Sequence, residues 1–147
     1  LIAAYRRAGR AERAERLEAA FPRVLTQVKA EEHFRRGVQL YREGRHHEAI
    51  AVFGLSLQLN PRSPAALSNL GYVYFDLGRL DEAMAQQQRA VEADPGFANA
   101  HYGLALILQR RGEVMRARAH FAEYLRLDPR GYWARRARQA LDGAPRS

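Results

Sequence analysis

The chain has 147 residues and carries 24 basic and 16 acidic side chains, which give it a formal net charge of +8. No apolar run approaches the roughly 18 to 20 residues that a membrane-spanning helix needs, so we expect no transmembrane segment. The chain contains no cysteine, which excludes disulfides and thiolate metal sites but leaves both the cytoplasm and the periplasm open as its compartment.

Residues 1–29 are predicted to form an N-terminal helical segment. Residues 1–21 are rich in alanine, arginine and glutamate, which favour helix, and Gly9 divides them into two short helices. Tyr5, Gly9 and Ala14 have the same mutual spacing as three residues of a unit farther along the chain. Residues 1–29 are therefore either a degenerate half-repeat or a plain amphipathic helix pair.

From residue 22 onward, the spacing of apolar residues predicts three helix pairs and then a single helix. Proline suits the first turn of a helix, so one helix begins at Pro22 and runs toward Gly44. The later predicted helices cover residues 46–59, 64–77, 81–93, 98–111, 113–127 and 132–141. Glycine turns join the two helices of each pair, and a proline follows the end of each pair.

Two kinds of breaker residue recur at one shared spacing: Gly44, Gly78 and Gly112, and then Pro61, Pro95 and Pro129. This period divides the chain into repeats at residues 30–63, 64–97 and 98–131, with a capping helix and tail at 132–147. Small residues also recur in register, at Gly37, Gly71 and Ala105 and at Ala49, Ala83 and Ala117. They allow two antiparallel helices to approach closely, and neighbouring pairs must stack to cover the faces left exposed.

This pattern resembles the tetratricopeptide repeat, whose 34-residue signature joins a leucine-glycine pair, a tyrosine, an alanine, a phenylalanine and a terminal proline. The unit at residues 64–97 matches best, with Leu70, Gly71, Tyr74, Ala83 and Pro95. The first and third units depart from the pattern with His33 and His101, where the family has a large apolar residue. The resemblance implies an all-α fold, a right-handed α-solenoid of antiparallel helix pairs.

The resemblance further implies that the first helix of each pair lines a concave groove that binds a peptide segment or a partner subunit. The interpretation is a protein–protein interaction scaffold or adaptor within a larger assembly. Aromatic residues recur along the predicted groove and arginines flank it, so apolar anchors and acidic side chains of a partner would bind there. The predicted groove residues are Phe34, Arg35, Val38, Tyr41, Arg42, Ser68, Asn69, Tyr72, Phe75, Asn99, Tyr102, Leu106 and Arg110. In the competing interpretation, several of these rings pack against neighbouring helices instead.

Some members of this family bind the acidic C-terminal carboxylates of chaperones through lysine, asparagine and arginine side chains on successive first helices. Asn69 matches the asparagine of the middle helix. Phe34 and Val38 stand where the first helix should supply lysine and asparagine, and Asn99 and Gly103 take the places of the third helix's basic pair. Binding of a chaperone tail is therefore not expected.

Other classes of function fit the sequence less well. It shows no nucleophile-base pair, no phosphate-binding glycine loop and no metal-ligand spacing, so we expect neither an enzyme nor a cofactor or metal site. A basic chain attracts phosphate, but residues 64–97 contain 2 basic and 5 acidic residues, which argues against nucleic acid as the partner.

A purely structural subunit is a further alternative. If residues 1–29 are a half-repeat, their apolar edge needs cover, and the chain would then form a homo-oligomer or join a larger complex through residues 1–21. Only one of the 24 basic residues, Lys29, is a lysine. This arginine bias is expected of a GC-rich bacterial source.

Overall fold

The computed structural model describes Ile2 and residues 11–143. Within these residues the chain folds into eight helices and no β-strand. They are α1 (Ala11–Ala20), α2 (Pro22–Arg42), α3 (His46–Leu59), α4 (Pro64–Asp76), α5 (Leu80–Ala93), α6 (Ala98–Arg110), α7 (Val114–Leu127) and α8 (Ala134–Asp142). The predicted all-α class is confirmed. None of these helices has the length and apolarity that crossing a bilayer requires.

The helices pack as three hairpins that stack into a solenoid. The most extensive contacts join α2 with α3, α4 with α5, and α6 with α7. The second helix of each hairpin contacts the first helix of the next, and α8 covers the exposed side of α7. The first helices α4 and α6 also touch directly, so one side of the solenoid is a continuous surface of first helices.

The turn inside each hairpin depends on glycine. Gly44, Gly78 and Gly112 have φ angles of 74°, 73° and 77°, in the left-handed region that a side chain disfavours. The amide after each glycine then bonds back to the preceding helix, as from Arg45 N to the Leu40 carbonyl at 2.9 Å. The regular spacing of these glycines therefore marks the same backbone turn three times.

The helix bounds predicted from the sequence agree with the structure to within two residues. Ser63 caps α4 as its sequence suggests, because its side-chain oxygen accepts a hydrogen bond from Ala66 N at 3.3 Å. The largest difference is at α8, which begins at Ala134 rather than at residue 132. There the backbone N–H of Trp133 donates to the Tyr124 hydroxyl oxygen at 3.1 Å instead of entering the helix.

The N-terminal end differs from the repeats that follow it. Residues 26–29 have the register of the loop at residues 60–63, yet they are helical, and α2 runs through 21 residues without a break. Its first turns leave Val24 and Val28 exposed, and Phe21 just before them is exposed as well. Tyr5 and Gly9, on which the half-repeat interpretation depends, lie outside the described residues, so that interpretation stays a prediction.

Each hairpin is closed by a small residue on its first helix that faces a larger side chain on its second. A Cβ atom placed on Gly37 would lie 2.7 Å from the ring of buried Phe53. In the second hairpin, a Cβ on Gly71 would lie 2.8 Å from the amide nitrogen of Gln87. The two helices therefore approach at a distance that only these small residues permit.

We predict that Gly37→Ala destabilises the protein by about 1–3 kcal/mol, because the added methyl group must displace the Phe53 ring. Urea unfolding followed by circular dichroism measures the change. Gly54→Ala is the matched control, since Gly54 also lies inside a helix but has no atom within 4 Å of an added Cβ. This control should be neutral or stabilising by up to about 1 kcal/mol. Equal effects of the two substitutions would contradict the close-approach argument.

Candidate functional site

A concave pocket with a volume of about 750 Å³ lies on the surface of first helices, between α2, α4, α6 and α8. Six aromatic rings, two arginines, one carboxylate and several uncharged polar groups line it. The lining residues are Tyr41, Ser68, Asn69, Tyr72, Phe75, Asp76, Phe97, Asn99, Tyr102, Leu106, Gln109, Arg110, Trp133 and Arg136. We call this the groove pocket.

Stacked rings form the floor of the groove pocket beside α8. Tyr102 on α6 is 3% exposed, and its ring stacks on Trp133 with centroids 5.1 Å apart and planes 12° apart. Phe121 on α7 meets the same tyrosine edge-on at 5.6 Å. Burial raises the pKa of Tyr102, and the nearby Arg136 opposes that rise. These contacts hold the ring in place, so this part of the pocket is formed before any ligand arrives.

Tyr72 fixes the position of α4 against the start of α6. Its hydroxyl donates to the Asn99 carbonyl oxygen at 2.7 Å. Burial strongly raises the pKa of this tyrosine, so it stays a neutral donor at all physiological pH values. Asn69, one turn earlier on α4, donates through its side-chain nitrogen to the Ala65 carbonyl oxygen at 2.9 Å.

The end of the groove pocket nearest α2 is acidic. The Tyr41 hydroxyl donates to a carboxylate oxygen of Asp76 at 2.6 Å. Burial and the Asp76 carboxylate together raise the pKa of Tyr41 well above its ordinary value. His46 lies beside this pair, with its ring edge-on to Tyr41 at 5.7 Å and its Nε2 atom 3.9 Å from the same carboxylate oxygen.

The end of the groove pocket formed by α6 and α8 is basic. The Arg110 guanidinium lies 5.0 Å from the centroid of the Phe75 ring, and the Arg136 guanidinium lies 5.4 Å from that of Trp133. Among the described residues, no carboxylate forms an ion pair with either arginine within 4.0 Å. The groove pocket therefore contains a carboxylate on α4, bonded to Tyr41 of α2, and two guanidiniums on α6 and α8.

Nine of the thirteen predicted groove residues line the groove pocket, and four do not. The nine are Tyr41, Ser68, Asn69, Tyr72, Phe75, Asn99, Tyr102, Leu106 and Arg110. Phe34 and Arg35 instead line a second cavity of about 500 Å³ between the N-terminal half of α2 and the end of α3. Val38 packs half-buried against the core of the first hairpin, and Arg42 is exposed without lining either cavity.

The packing of the first hairpin explains why Phe34 and Arg35 lie outside the groove pocket. Gly37 admits the ring of Phe53 to the surface of α2, and Phe34 packs on that ring at a centroid distance of 6.0 Å. Arg35 pairs with Glu31 on its own helix at 2.9 Å. The competing interpretation, in which aromatic side chains pack on neighbouring helices, therefore holds for Phe34.

Five lining residues were not among the predicted groove residues: Asp76, Phe97, Gln109, Trp133 and Arg136. Two of them lie on or next to α8, which the repeat pattern predicts only as a cap. Trp133 follows Asn99 by one full repeat period, and Arg136 follows Tyr102 by the same interval. Extending the repeat register into the capping helix would have found both residues.

Among the described residues, two buried side-chain oxygens beneath the pocket, on Ser68 and Gln87, have no hydrogen-bond partner. Ser68 lines the groove pocket, yet it is almost fully buried, and its hydroxyl has no hydrogen-bond partner. The Gln87 side-chain nitrogen donates to the Ser68 carbonyl oxygen at 3.1 Å, but its side-chain oxygen is also unpaired.

A pair of stacked histidines lies on the other side of α6. The Nδ1 atoms of His101 and His120 are 3.2 Å apart, and His101 Nε2 lies 3.0 Å from the Pro95 carbonyl oxygen. Because a carbonyl only accepts, His101 carries its proton on Nε2, and His120 Nδ1–H donates to the bare His101 Nδ1. Within the described residues, no group of three or more histidine, cysteine, aspartate or glutamate side chains is arranged to hold a metal ion.

Two models of known protein families match this chain, at residues 34–96 and at residues 87–119, and both are described as "Tetratricopeptide repeat". Together the two matches cover more than half of the chain. A similar curated protein is the TPR repeat-containing thioredoxin TTL4 of Arabidopsis thaliana, which is 38% identical over 91 residues. That match covers 62% of this chain and 13% of the relative. Hsp70-Hsp90 organizing protein 3 of the same plant is 27% identical over 117 residues, or 80% of this chain and 20% of the relative.

Solved structures share the fold at lower sequence identity. The first TPR of Spaghetti (RPAP3), bound to the HSP90 peptide SRMEEVD, superposes with a TM-score of 0.70 at 21% identity, covering 79% of this chain and 95% of that one. The Yersinia enterocolitica chaperone SycD, in complex with a peptide of the translocator YopD, gives 0.72 at 18% identity, covering 77% and 89%. This chain spans about an eighth of the length of the first curated relatives.

We predict that the free energy of unfolding falls as the pH is lowered from about 7.5 to about 5.5, because His120 resists protonation in the folded state. Burial, followed by the electrostatic effects of His101 and of the Arg116 guanidinium, lowers the pKa of His120 below its ordinary value, and Glu123 only partly opposes this. The contribution of His120 to the free energy of unfolding is therefore complete above the pKa that it has in the unfolded chain. It is lost as the pH falls through the lower pKa that it has in the folded state. Urea unfolding at several pH values measures it.

The variant His120→Gln keeps a side-chain donor but cannot titrate, so its stability should depend less on pH over this range. His47→Gln is the matched control, because His47 is exposed at the start of α3. An identical pH dependence in wild type and His120→Gln would show that the buried pair is not responsible.

Proposed function

The chain belongs to the tetratricopeptide repeat family, and from this premise we propose that it binds a segment of a partner protein in the groove pocket. The observation that carries the proposal is the set of six aromatic side chains around one concavity on the surface of first helices. A volume of about 750 Å³ lies in the range of ordinary ligand pockets and admits two or three side chains of a segment.

The pocket also has the composition of a recognition site. Rings such as Phe75 and Trp133 are only partly buried, so they offer apolar area for anchor residues. Asn99 and Gln109 are exposed amide side chains on the same wall and can bond the backbone of an extended segment. The stacking of Tyr102 on Trp133 lowers the ordering cost of binding, because these rings are already fixed.

Similar structures support a binding role without naming this chain's partner. Two of them hold bound peptides, one from HSP90 and one from the translocator YopD. In this chain Phe34 is turned onto the core of the first hairpin, and Gly103 has no side chain to offer. These two residues support a ligand other than a chaperone tail.

The proposed role is binding rather than catalysis. The titratable side chains that line the groove pocket are one carboxylate, three tyrosines and two arginines. The carboxylate of Asp76 is held by the Tyr41 hydroxyl, and Tyr41 and Tyr72 have raised pKa values that keep them neutral. This set provides hydrogen bonds and charge for a ligand, but no activated nucleophile or base.

We predict that the double variant Phe75→Ala, Leu106→Ala weakens binding of a selected peptide at least tenfold, because both side chains are apolar parts of the pocket wall. The peptides come from a random phage-displayed library panned on the immobilised wild-type chain, and fluorescence anisotropy measures their Kd. Leu55→Ala is the control, since Leu55 is an exposed leucine on α3 outside the groove pocket.

A second variant guards against loss of fold in the first. Gln109 is exposed and lines the groove pocket, so Gln109→Trp fills the pocket without removing a core contact. Both variants should keep the helical circular dichroism of the wild type and lose the peptide. Failure to enrich any peptide, or equal Kd values for wild type and Gln109→Trp, would remove the groove pocket as a binding site.

A further inference from the structure

Within the part of the chain that the structure describes, the two arginines that line the groove pocket have no acidic partner, unlike three arginines nearby. Arg111 forms an ion pair with Asp81, and Arg116 forms one with Glu113. Arg126 likewise pairs with Glu123 at 2.6 Å. Arg110 and Arg136 face the pocket, and each lies over an aromatic ring instead of a carboxylate.

The aromatic rings under these two guanidiniums restrict the orientation of the arginine side chains, which favours the binding of an anion. A cation over a ring face keeps its orientation, so less side-chain freedom is lost when a ligand arrives. Each guanidinium has several edge N–H donors that can form hydrogen bonds to a carboxylate, and the Tyr102 hydroxyl competes for one of those of Arg136. The stacked pair of Tyr102 and Trp133 beside Arg136 excludes water from one side, which strengthens the attraction between opposite charges.

Asp76 sets the direction of a bound segment. Among the described residues that line the groove pocket it is the only carboxylate, and it lies on α4, toward α2. A second carboxylate at that end would be repelled, whereas one at the α6 and α8 end meets two positive charges. The acidic residue of a ligand therefore belongs beside α6 and α8, and a neutral or basic residue belongs beside Asp76.

We propose that Arg110 and Arg136 form an anion-binding subsite that binds an aspartate or glutamate side chain of the partner segment. That residue lies one or two positions from a large apolar residue, which is seated on Phe75 and Leu106. The inference rests on the proposed function and adds the chemistry of the ligand to it. Arg136, which the repeat pattern alone assigns to a cap, becomes a residue that determines specificity.

The test uses synthetic peptides of about nine residues with acetylated and amidated ends. Each peptide has one phenylalanine, tryptophan or leucine anchor in an alanine and serine background, and carries glutamate, glutamine or lysine near the anchor. The full chain binds them as wild type, Arg110→Gln, Arg136→Gln and Arg135→Gln. The last is the matched control, because Arg135 is exposed on the same helix but does not line the groove pocket.

The Kd of the wild-type chain should be about three- to tenfold lower for glutamate peptides than for glutamine peptides, as expected for a charge pair at a partly desolvated site. Arg110→Gln and Arg136→Gln should each reduce this preference to less than about twofold, while Arg135→Gln keeps it. The preference should also shrink as salt rises from about 50 to about 500 mM, because ions screen the pair. The variant Arg136→Glu should favour lysine peptides over glutamate peptides.

The outcomes separate this inference from the proposed function. If peptides bind with no preference for glutamate, the anion-binding subsite is overturned while segment binding stands. The same holds if the preference for glutamate persists in both Arg110→Gln and Arg136→Gln. A matched set of the same peptides with a free C-terminal carboxylate is tested as well; if only that set binds, the assignment to a side chain is overturned. If no peptide of any composition binds, segment binding in the groove pocket fails and the subsite fails with it.

Discussion

The close approach of the two helices in each hairpin is the constraint on which the rest of the structure depends. It occurs where a small residue on the first helix faces an equivalent position on the second: Gly37 with Phe53, Gly71 with Gln87, and Ala105 with Phe121. Because the second helix packs against one side of the first helix, the opposite side of α4 and α6 lines the groove pocket. Part of that side, such as Tyr102, is itself buried in the core, so the packing that closes the hairpins also shapes the binding surface.

Gln87 makes the middle hairpin different from its neighbours, which have phenylalanine at this register. The amide is fully buried and lies against the backbone of Gly71 on α4 and of Gly103 on α6. A buried amide needs a partner, and the Ser68 carbonyl oxygen supplies one at 3.1 Å. Ser68 also lines the groove pocket, so this one residue joins the polar core of the middle hairpin to the binding surface. Two side-chain oxygens here, those of Gln87 and Ser68, remain without a protein partner.

The sequence predicts the helices well because glycine and proline act locally. Gly44, Gly78 and Gly112 set their turns through φ alone, and Ser63 caps α4 through a neighbouring amide. It predicts the groove less well, because helical spacing indicates which side of the helix a residue occupies but not which side chains pack over it. Phe34 and Ser68 have the same register, yet the ring of Phe34 packs on Phe53 while Ser68 lies in the pocket floor. Charge balance over residues 64–97 also says little about the pocket, since it describes a stretch of chain and not the surface that several helices form together.

The last helix shows why stability and recognition are not separable in this chain. Ala134 and Ala137 are buried against the core of the third hairpin, as a capping helix requires. The same helix and the residue before it place Arg136 and Trp133 in the groove pocket, where they supply one of its two positive charges and part of its floor. The helix α4 brings only a negative charge to this pocket, from Asp76. One of the two positive charges of the binding surface therefore depends on the folding of α8 onto α7, and whatever loosens the cap also changes the charge that a ligand meets.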